Sequence, residues 1–453
     1  MTETPAASRA WPGYGVVWRW HFYAGLFCIP FVVWLAITGA IYLFKPQIEA
    51  WLDRPYDGLA ITGPRAAPST IVAAALAVVP DGVLNSYELP ASPDASVRVL
   101  VGRGPVVFRV YVHPASASVL GVVRDDQRPM RRLFYLHGEL MLGARGSMLV
   151  ELAASWAVVM ILTGLFLWWP RTSALAGVVY PRLTRGRRVF WRDLHAVAGV
   201  WVSAYTLFLL TSGLPWAKSW GNLLKEARRV GGDAVARLDW TTGRDDEIAE
   251  IVAMNTAPDE HAGHGGTATA AAEPRYAPLD RVEPTVAALQ LTPPVLISPP
   301  SKAAAQWTAR SDAPNRPRRV NLVLDDATGT IVSRTDFHQR PLIDRAVGIG
   351  VAAHEGQLFG LLNQLIGLAN AAGLVALSVS AAVLWWQRRP ASVLGAPRTQ
   401  AYGALPRALI AGIVIMGLVL PMLGLSLLAV RVLEATVLRR VASAREFLGL
   451  AAA

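Results

Sequence analysis

Four of the eight histidines in this chain fall into two matched pairs. His21 is followed by Ala24-Gly25 and, 17 residues on, by Thr38-Gly39; His195 is followed at the same spacing by Ala198-Gly199 and Ser212-Gly213. His137 opens the run His-Gly-Glu-Leu-Met-Leu-Gly, and His354 opens His-Glu-Gly-Gln-Leu-Phe-Gly. Each of these lies 30 residues ahead of a Leu-Trp-Trp ending, at Leu167 and at Leu384. A lone histidine beside a membrane is usually a plain interfacial residue. Four at repeat-matched positions, at the ends of apolar runs, suggest instead axial ligands to haem iron, for which neutral imidazole is well suited.

The repeats make the chain two copies of one unit: a span, an extramembrane segment and a second span, with a further apolar segment added. Parallel repeats pack about an axis along the membrane normal, so a group on that axis takes one ligand from each copy. His21 is therefore paired with His195, and His137 with His354. Pairing His21 with His137 is disfavoured, because about 30 Å of hydrocarbon would separate them. Arg19 and Arg192, just before His21 and His195, are candidate partners for haem propionates, against the plainer reading of interfacial anchors. The glycines at 25, 39, 199 and 213 would let a flat macrocycle approach, although small residues also serve helix packing. Glu139 and Glu355 adjoin the second pair as outer partners, substrate-facing groups or plain solvated carboxylates, and Glu151, an acid inside a span, is a candidate for a proton or haem-edge role.

Apolar runs at 17–44, 147–169, 196–218, 365–386 and 405–430 are each long enough for the roughly 20 residues that cross a bilayer. The first far exceeds the apolar part of a cleaved signal and reads as a retained span. Arg171, Arg182, Arg185, Arg187, Arg188 and Arg192 lie between the second and third runs, and Arg388, Arg389 and Arg398 follow the fourth. With Arg9 and Arg19 they place these loops and the N-terminus in the cytoplasm of a bacterial inner membrane, and the long segments in the periplasm. Trp168, Trp169, Trp385 and Trp386 then form a belt at the cytoplasmic interface. The last run fits less well: one crossing puts Arg431, Arg439, Arg440 and Arg445 outside, and Pro421 marks a kink or a short hairpin.

The expected fold class is a membrane all-α bundle, four core spans as two parallel repeats plus a C-terminal span, carrying two periplasmic α+β domains. The N-terminus and first span take 1–45, the first periplasmic domain 46–130, and a periplasmic-side helix with the second span 131–170. A basic cytoplasmic loop follows at 171–192, the third span at 193–218 and the second periplasmic domain at 219–340. A periplasmic-side helix with the fourth span occupies 341–387, a cytoplasmic loop 388–404, and the C-terminal span or spans 405–453. Strand pairs are expected at 106–112 with 118–123 and at 320–324 with 330–333, and a helix at 68–79. The stretch 256–274 is low in complexity and reads as a flexible loop; its His261 and His264 could bind metal weakly, but two histidines alone make an incomplete site and a plain linker is the favoured reading.

Composition narrows the chemistry. With 53% hydrophobic residues, the 453-residue chain exceeds what a soluble core needs. The net charge of +11 sits in short stretches beside apolar runs, which excludes a nucleic-acid face and marks topology. One cysteine, Cys28, excludes an intrachain disulfide, covalent c-type haem and iron–sulfur ligation. No Gly-x-Gly-x-x-Gly joins a strand to a helix, so the electron donor is expected to be another molecule.

The joint pattern resembles the PepSY-associated transmembrane proteins, which include siderophore-iron reductases of bacterial inner membranes. Arg19-Trp20-His21 with Ala24-Gly25 and Thr38-Gly39, Leu136-His137-Gly138, Leu194-His195 with Ala198-Gly199, His354-Glu355-Gly356 and the Leu-Trp-Trp endings carry it, from about residue 15 to 430. The resemblance implies PepSY-like periplasmic domains and two bis-histidine haems b on His21, His195, His137 and His354. It also implies an oxidoreductase that reduces ferric siderophores or similar iron chelates to release Fe(II), supplied by a quinol or a flavoprotein. The insertion around His261 and His264 departs from a clean PepSY pattern. Two other readings stay open: a non-enzymatic membrane protein whose PepSY-like domains bind or regulate a periplasmic partner, and a transporter whose histidines relay protons or bind metal ions. Transport sites gather near the midplane, whereas these histidines sit at span ends.

Overall fold

The structure, a computed structural model, describes residues 12–170, 175–230, 244–255, 275–301, 305–397 and 405–450. Arg9, Arg171, Arg398, His261, His264 and the expected loop at 256–274 lie outside them. In chain order come α1 (Tyr14–Tyr42), α2 (Lys45–Asp53), α3 (Pro68–Ala77), β1 (Val83–Glu88), β2 (Val97–Arg103), β3 (Val106–Val112) and β4 (Val119–Arg124). Next are α4 (Pro129–Glu139), α5 (Ala144–Trp168), α6 (Arg187–Gly213), α7 (Lys218–Val230), α8 (Arg244–Asn255) and α9 (Leu279–Ala288). The chain continues with β5 (Val295–Ser298), β6 (Trp307–Ser311), β7 (Val320–Leu324), β8 (Ile331–Asp336), α10 (Leu342–His354) and α11 (Leu361–Arg388). Last are α12 (Arg407–Val419), α13 (Pro421–Leu433) and α14 (Ala442–Leu448). Two compact units result, one from residues 1–40, 137–243 and 365–453, the other from 41–136 and 244–364.

The first unit is helical. Among the described residues, five helices are long and apolar enough to cross a membrane: α1, α5, α6 with the turn after it, α11, and α13 with its extension to Leu438. A 25-residue helix such as α5 is about 38 Å long, beyond the roughly 30 Å of a hydrocarbon core. The last apolar run is a hairpin rather than one span. Leu420 leaves helical geometry (φ −116°, ψ 85°) ahead of Pro421, and α12 folds back onto α13. Their backbones touch where a Cβ on Gly417 would lie 3.1 Å from Gly424 Cα. In an unbroken helix these residues would stand about 10 Å apart. The tail then comes back to the end of the bundle that carries Arg19: Leu394 N–H donates to Phe447 O at 3.0 Å, and Arg19 donates to Leu448 O at 3.2 Å. That return places the arginines of the tail with the other basic loops and removes the charge conflict of a single crossing.

The second unit is built on one antiparallel sheet, in the order β4-β3-β2-β1-β5-β6-β7-β8. The sequence suggested two separate domains of two strands each; each half instead supplies a four-stranded meander, and the halves join through Tyr87↔Ile297 and Glu88↔Leu296. Joining covers one edge of each meander, which would otherwise present unpaired backbone groups. Period-two alternation turns Val97, Val99 and Val101 of β2, and Val320, Leu322 and Leu324 of β7, into a common core. Ile71 and Val72 of α3 and Leu279, Val282 and Val286 of α9 cover that core, each side chain contributing roughly 1.5–3 kcal/mol by leaving water. Ser69 of α3 ties the two helices, donating to Asp280 through its hydroxyl (2.6 Å) and its N–H (2.7 Å).

Arg98, between the buried valines of β2, faces the other way. Its guanidinium meets Asp57 at 2.8 Å, Glu88 at 3.4 Å and Asp53 at 3.6 Å. Arg109 joins Glu88 (2.6 Å) to Asp125 (3.2 Å), and Arg128 meets Asp53 (3.2 Å) and donates to Tyr111 Oη (2.6 Å). This network fastens α2 and the residues leading into α4 to the sheet. Burial raises the cost of ionising Asp125, but Arg109, Arg131 and Arg128 hold its carboxyl below the usual range.

Candidate functional site

His21 lies in the third turn of α1, and His195 in the third turn of α6. Their ring centroids are 6.3 Å apart at an interplanar angle of 75°. A metal bound at about 2.0 Å to one nitrogen of each ring, with each ring centre about 1.1 Å further on, gives a separation of about 6.2 Å. The spacing therefore suits two imidazoles that would hold one metal ion between them.

The free nitrogens are also settled. His21 Nδ1 lies 3.0 Å from Met160 O on α5, and a carbonyl only accepts, so Nδ1 carries the proton and Nε2 keeps its lone pair. Thr163 Oγ1, whose own proton goes to Val159 O, adds a second acceptor at 3.1 Å. His195 repeats this on α11: Nδ1 faces Leu377 O at 3.3 Å and Ser380 Oγ at 3.4 Å, and Ser380 donates to Leu377 O. A hydrogen bond to the second ring nitrogen fixes tautomer and orientation in metal-binding histidines. A Cβ on Gly164 would lie 3.0 Å from His21 Cε1, so the bare glycine gives that ring its space. Gly25 and Gly199 leave room beside the rings, the first contact for an added Cβ being Met160 Sδ at 4.0 Å and Leu377 Cδ1 at 3.5 Å.

His137 sits in the last turn of α4, ahead of the α5 span, and meets the far end of α1. Its Nδ1 is 2.8 Å from Thr38 Oγ1, whose hydroxyl proton is given to Trp34 O at 2.8 Å, so the ring is the donor in that contact. A Cβ on Gly39 would come within 3.2 Å of His137 Cε1. The Thr38-Gly39 motif is thus a seat for the ring rather than an approach path for a macrocycle. His21 and Thr38 are 17 residues apart on α1, about 25 Å of rise, so the His21 and His137 sites are separate.

His354 ends α10 in the sheet-bearing unit. Beside it, Glu355 has a cation in reach: burial works against the Lys45 ammonium, but Tyr42, Glu49 and Glu355 keep its pKa above the ordinary value. The two arginines expected at propionates meet protein acceptors. Arg19 donates to Tyr23 Oη, Leu448 O and Pro397 O, while Arg192 donates to the buried Asp193 at 2.7 Å, beside Arg182. His113 accepts the N–H groups of Ala115 and Ser116 in a turn, and His338 is exposed. Among the described residues, no group of three or more His, Cys, Asp or Glu gathers to hold a bare metal ion.

A family model for the PepSY-associated TM region matches residues 18–388, most of the chain. The chain belongs to the PepSY-associated transmembrane family. The matched range takes in all four repeat histidines of this PepSY-associated protein, from α1 to the end of α11. No curated relative matches it. The sequence did not single out Thr163, Ser380, Met160 and Leu377, although a signal existed. Thr163 and Ser380 both stand four residues before the Leu-Trp-Trp endings, so they belong to the same repeat as the histidines they hold.

Proposed function

We propose that this PepSY-associated membrane protein is a haem b electron-transfer protein of a bacterial inner membrane. In this reading it passes electrons from a cytoplasmic-side donor, a quinol or a flavoprotein, to ferric siderophores or similar iron chelates in the periplasm. The observation that carries it is the His21–His195 pair, 6.3 Å apart on different helices, each ring held through Nδ1 by the second span of its own repeat. His137, held by Thr38, would be the ligand toward the periplasm, with His354 as its repeat-matched partner. When bound, haem supplies a one-electron Fe(III)/Fe(II) couple.

The chain's own contribution is positional. Met160, Thr163, Leu377 and Ser380 fix the imidazoles as Nε2 ligands, so little rearrangement accompanies electron arrival. Apolar helices around them exclude water and set the local dielectric. The sheet unit is the PepSY-like part and would receive the chelate, whose hard oxygen ligands hold Fe(II) less well than Fe(III), releasing the metal after reduction.

An absorption spectrum of detergent-purified protein, before and after dithionite, tests this directly. A b-type shift of the Soret and α bands is the expected result. A protein folded and colourless at full purity overturns the redox reading.

A further inference from the structure

Glu151 lies two turns into α5, at 2% exposure, among apolar helices. One oxygen, Oε2, accepts the N–H of Ser219 in the first turn of α7 at 2.9 Å; one turn earlier Ser147 accepts the N–H of Lys218 at 3.1 Å. The other oxygen, Oε1, is buried and meets no hydrogen-bond donor. These surroundings pull in opposite directions. The N-terminus of α7, 13 residues long, favours the carboxylate. The unpaired oxygen in an apolar setting favours the neutral acid. Ser147, Glu151 and Ser155 recur at four-residue intervals, none more than 3% exposed, so the polar strip does not face lipid.

The position also places Glu151 between the two histidine sites of the helical unit. It lies five residues from Gly146, which packs against the Glu139 carbonyl two residues past His137. It lies 12 residues, about 18 Å of rise, from Thr163 at His21. Charges interact over such distances more strongly in a low-dielectric bundle than in water.

We propose that Glu151 is an intramembrane proton site that compensates the charge of electrons passing through the bundle. The inference rests on the haem reading above. With haem held by the imidazoles, each electron supplied by the quinol or flavoprotein would be matched by one proton from water that converts the Glu151 carboxylate to the acid. When the electron leaves for the ferric chelate, the proton returns to water, and the interior charge is unchanged across the cycle.

Other titratable groups on the surrounding elements must be separated from it. On α7 these are Lys218, next to Ser219, and further along Lys225, Glu226, Arg228 and Arg229; on α13 it is Arg431. The charges of α1 and α6, Arg19, His21, Arg187, Arg188, Arg192, Asp193 and His195, lie in the first three turns of those helices, by the His21 pair. Glu139 and His137 adjoin the start of α5, which itself carries Arg145.

The test is carried out on the full haem-loaded chain in lipid vesicles, by reduced-minus-oxidised infrared spectra and optical redox titration at several pH values. A carboxylic C=O band that shifts in D2O and is absent in E151Q is expected. So is a midpoint potential that falls with pH in the wild type and loses most of that slope in E151Q, with haem content unchanged. A Soret band together with no carboxyl signal in the wild type, or a band or slope that survives in E151Q, overturns this inference alone. A preparation with no Soret band overturns it together with the haem reading. Should E151Q fail to accumulate, the wild-type band and slope decide the matter. A purely structural cap on α7 would show as a lower melting temperature in E151Q with neither signal present in the wild type.

Discussion

Thr38 Oγ1 accepts the Nδ1 proton of His137 at 2.8 Å while giving its own proton to Trp34 O. One helix, α1, therefore carries His21 at one end and orients His137 at the opposite end. Losing an outer-shell hydrogen bond of this kind costs about 10- to 100-fold in metal affinity. Thr38→Val should weaken haem retention at the His137 site by that factor and leave the His21 site loaded. Gly39→Val should do at least as much, because even a Cβ meets His137 Cε1 at 3.2 Å. Haem content by pyridine haemochrome, with spectral deconvolution of the two sites, measures both.

The Arg98 network is the main polar investment of the sheet unit. Removing one partner of a buried ion pair leaves uncompensated charge and costs roughly 3–5 kcal/mol. Arg98→Met takes the cation from Asp57 and leaves Asp53 and Glu88 with only Arg128 and Arg109, so the sheet unit should open first. Limited proteolysis and hydrogen exchange of the full-length variant should show β1 to β3 losing protection while α5 and α6 keep theirs.

Acid should act on the same unit. Burial disfavours the ionised forms of Asp125 and Asp312, yet neighbouring arginines, Arg109 for the first and Arg319 for the second, hold both carboxyls below their ordinary values. A folded pKa below the unfolded value, about 3.9, gives stability that is present above that pH and lost as pH falls through the folded value. Its thermal midpoint should be level between about pH 7 and 5 and fall below about pH 4. Asp125→Asn should lower the neutral midpoint and flatten the acid decline.

Much of this was legible in the sequence because its signals are local. Apolar runs of the right length gave the spans, and the hairpins at 106–124 and 320–336 followed from alternation around turn residues. The four histidines stood out through duplication, and the rings of His21 and His195 lie 6.3 Å apart. What escaped depends on long-range contacts. Strands β1 and β5 are short, and only their mutual pairing shows that eight strands make one sheet. Thr163 and Ser380 look like ordinary hydroxyls in a span until the facing helix brings a ring to them. Arg19 and Arg192 carried a charge suited to propionates, but the returning tail and the adjacent Asp193 offer acceptors that sequence alone does not weigh.

The hairpin of α12 and α13 makes a topology prediction. Cys28, the sole native cysteine, is fully buried and should not react, so single cysteines can report sidedness. Ser443→Cys and Ser392→Cys should label alike with a membrane-impermeant maleimide, both from the cytoplasmic face. Labelling from opposite faces would show that residues 405–441 cross only once.

The pairing of His21 with His195 is tested most directly by counting haems in single substitutions. His21→Ala and His195→Ala should each bind one haem per chain instead of two, and the component lost should have the same spectrum and midpoint potential in both. If the two variants lose different components, or if His21→Ala and His137→Ala lose the same one, the imidazoles 6.3 Å apart do not share an iron and the account fails.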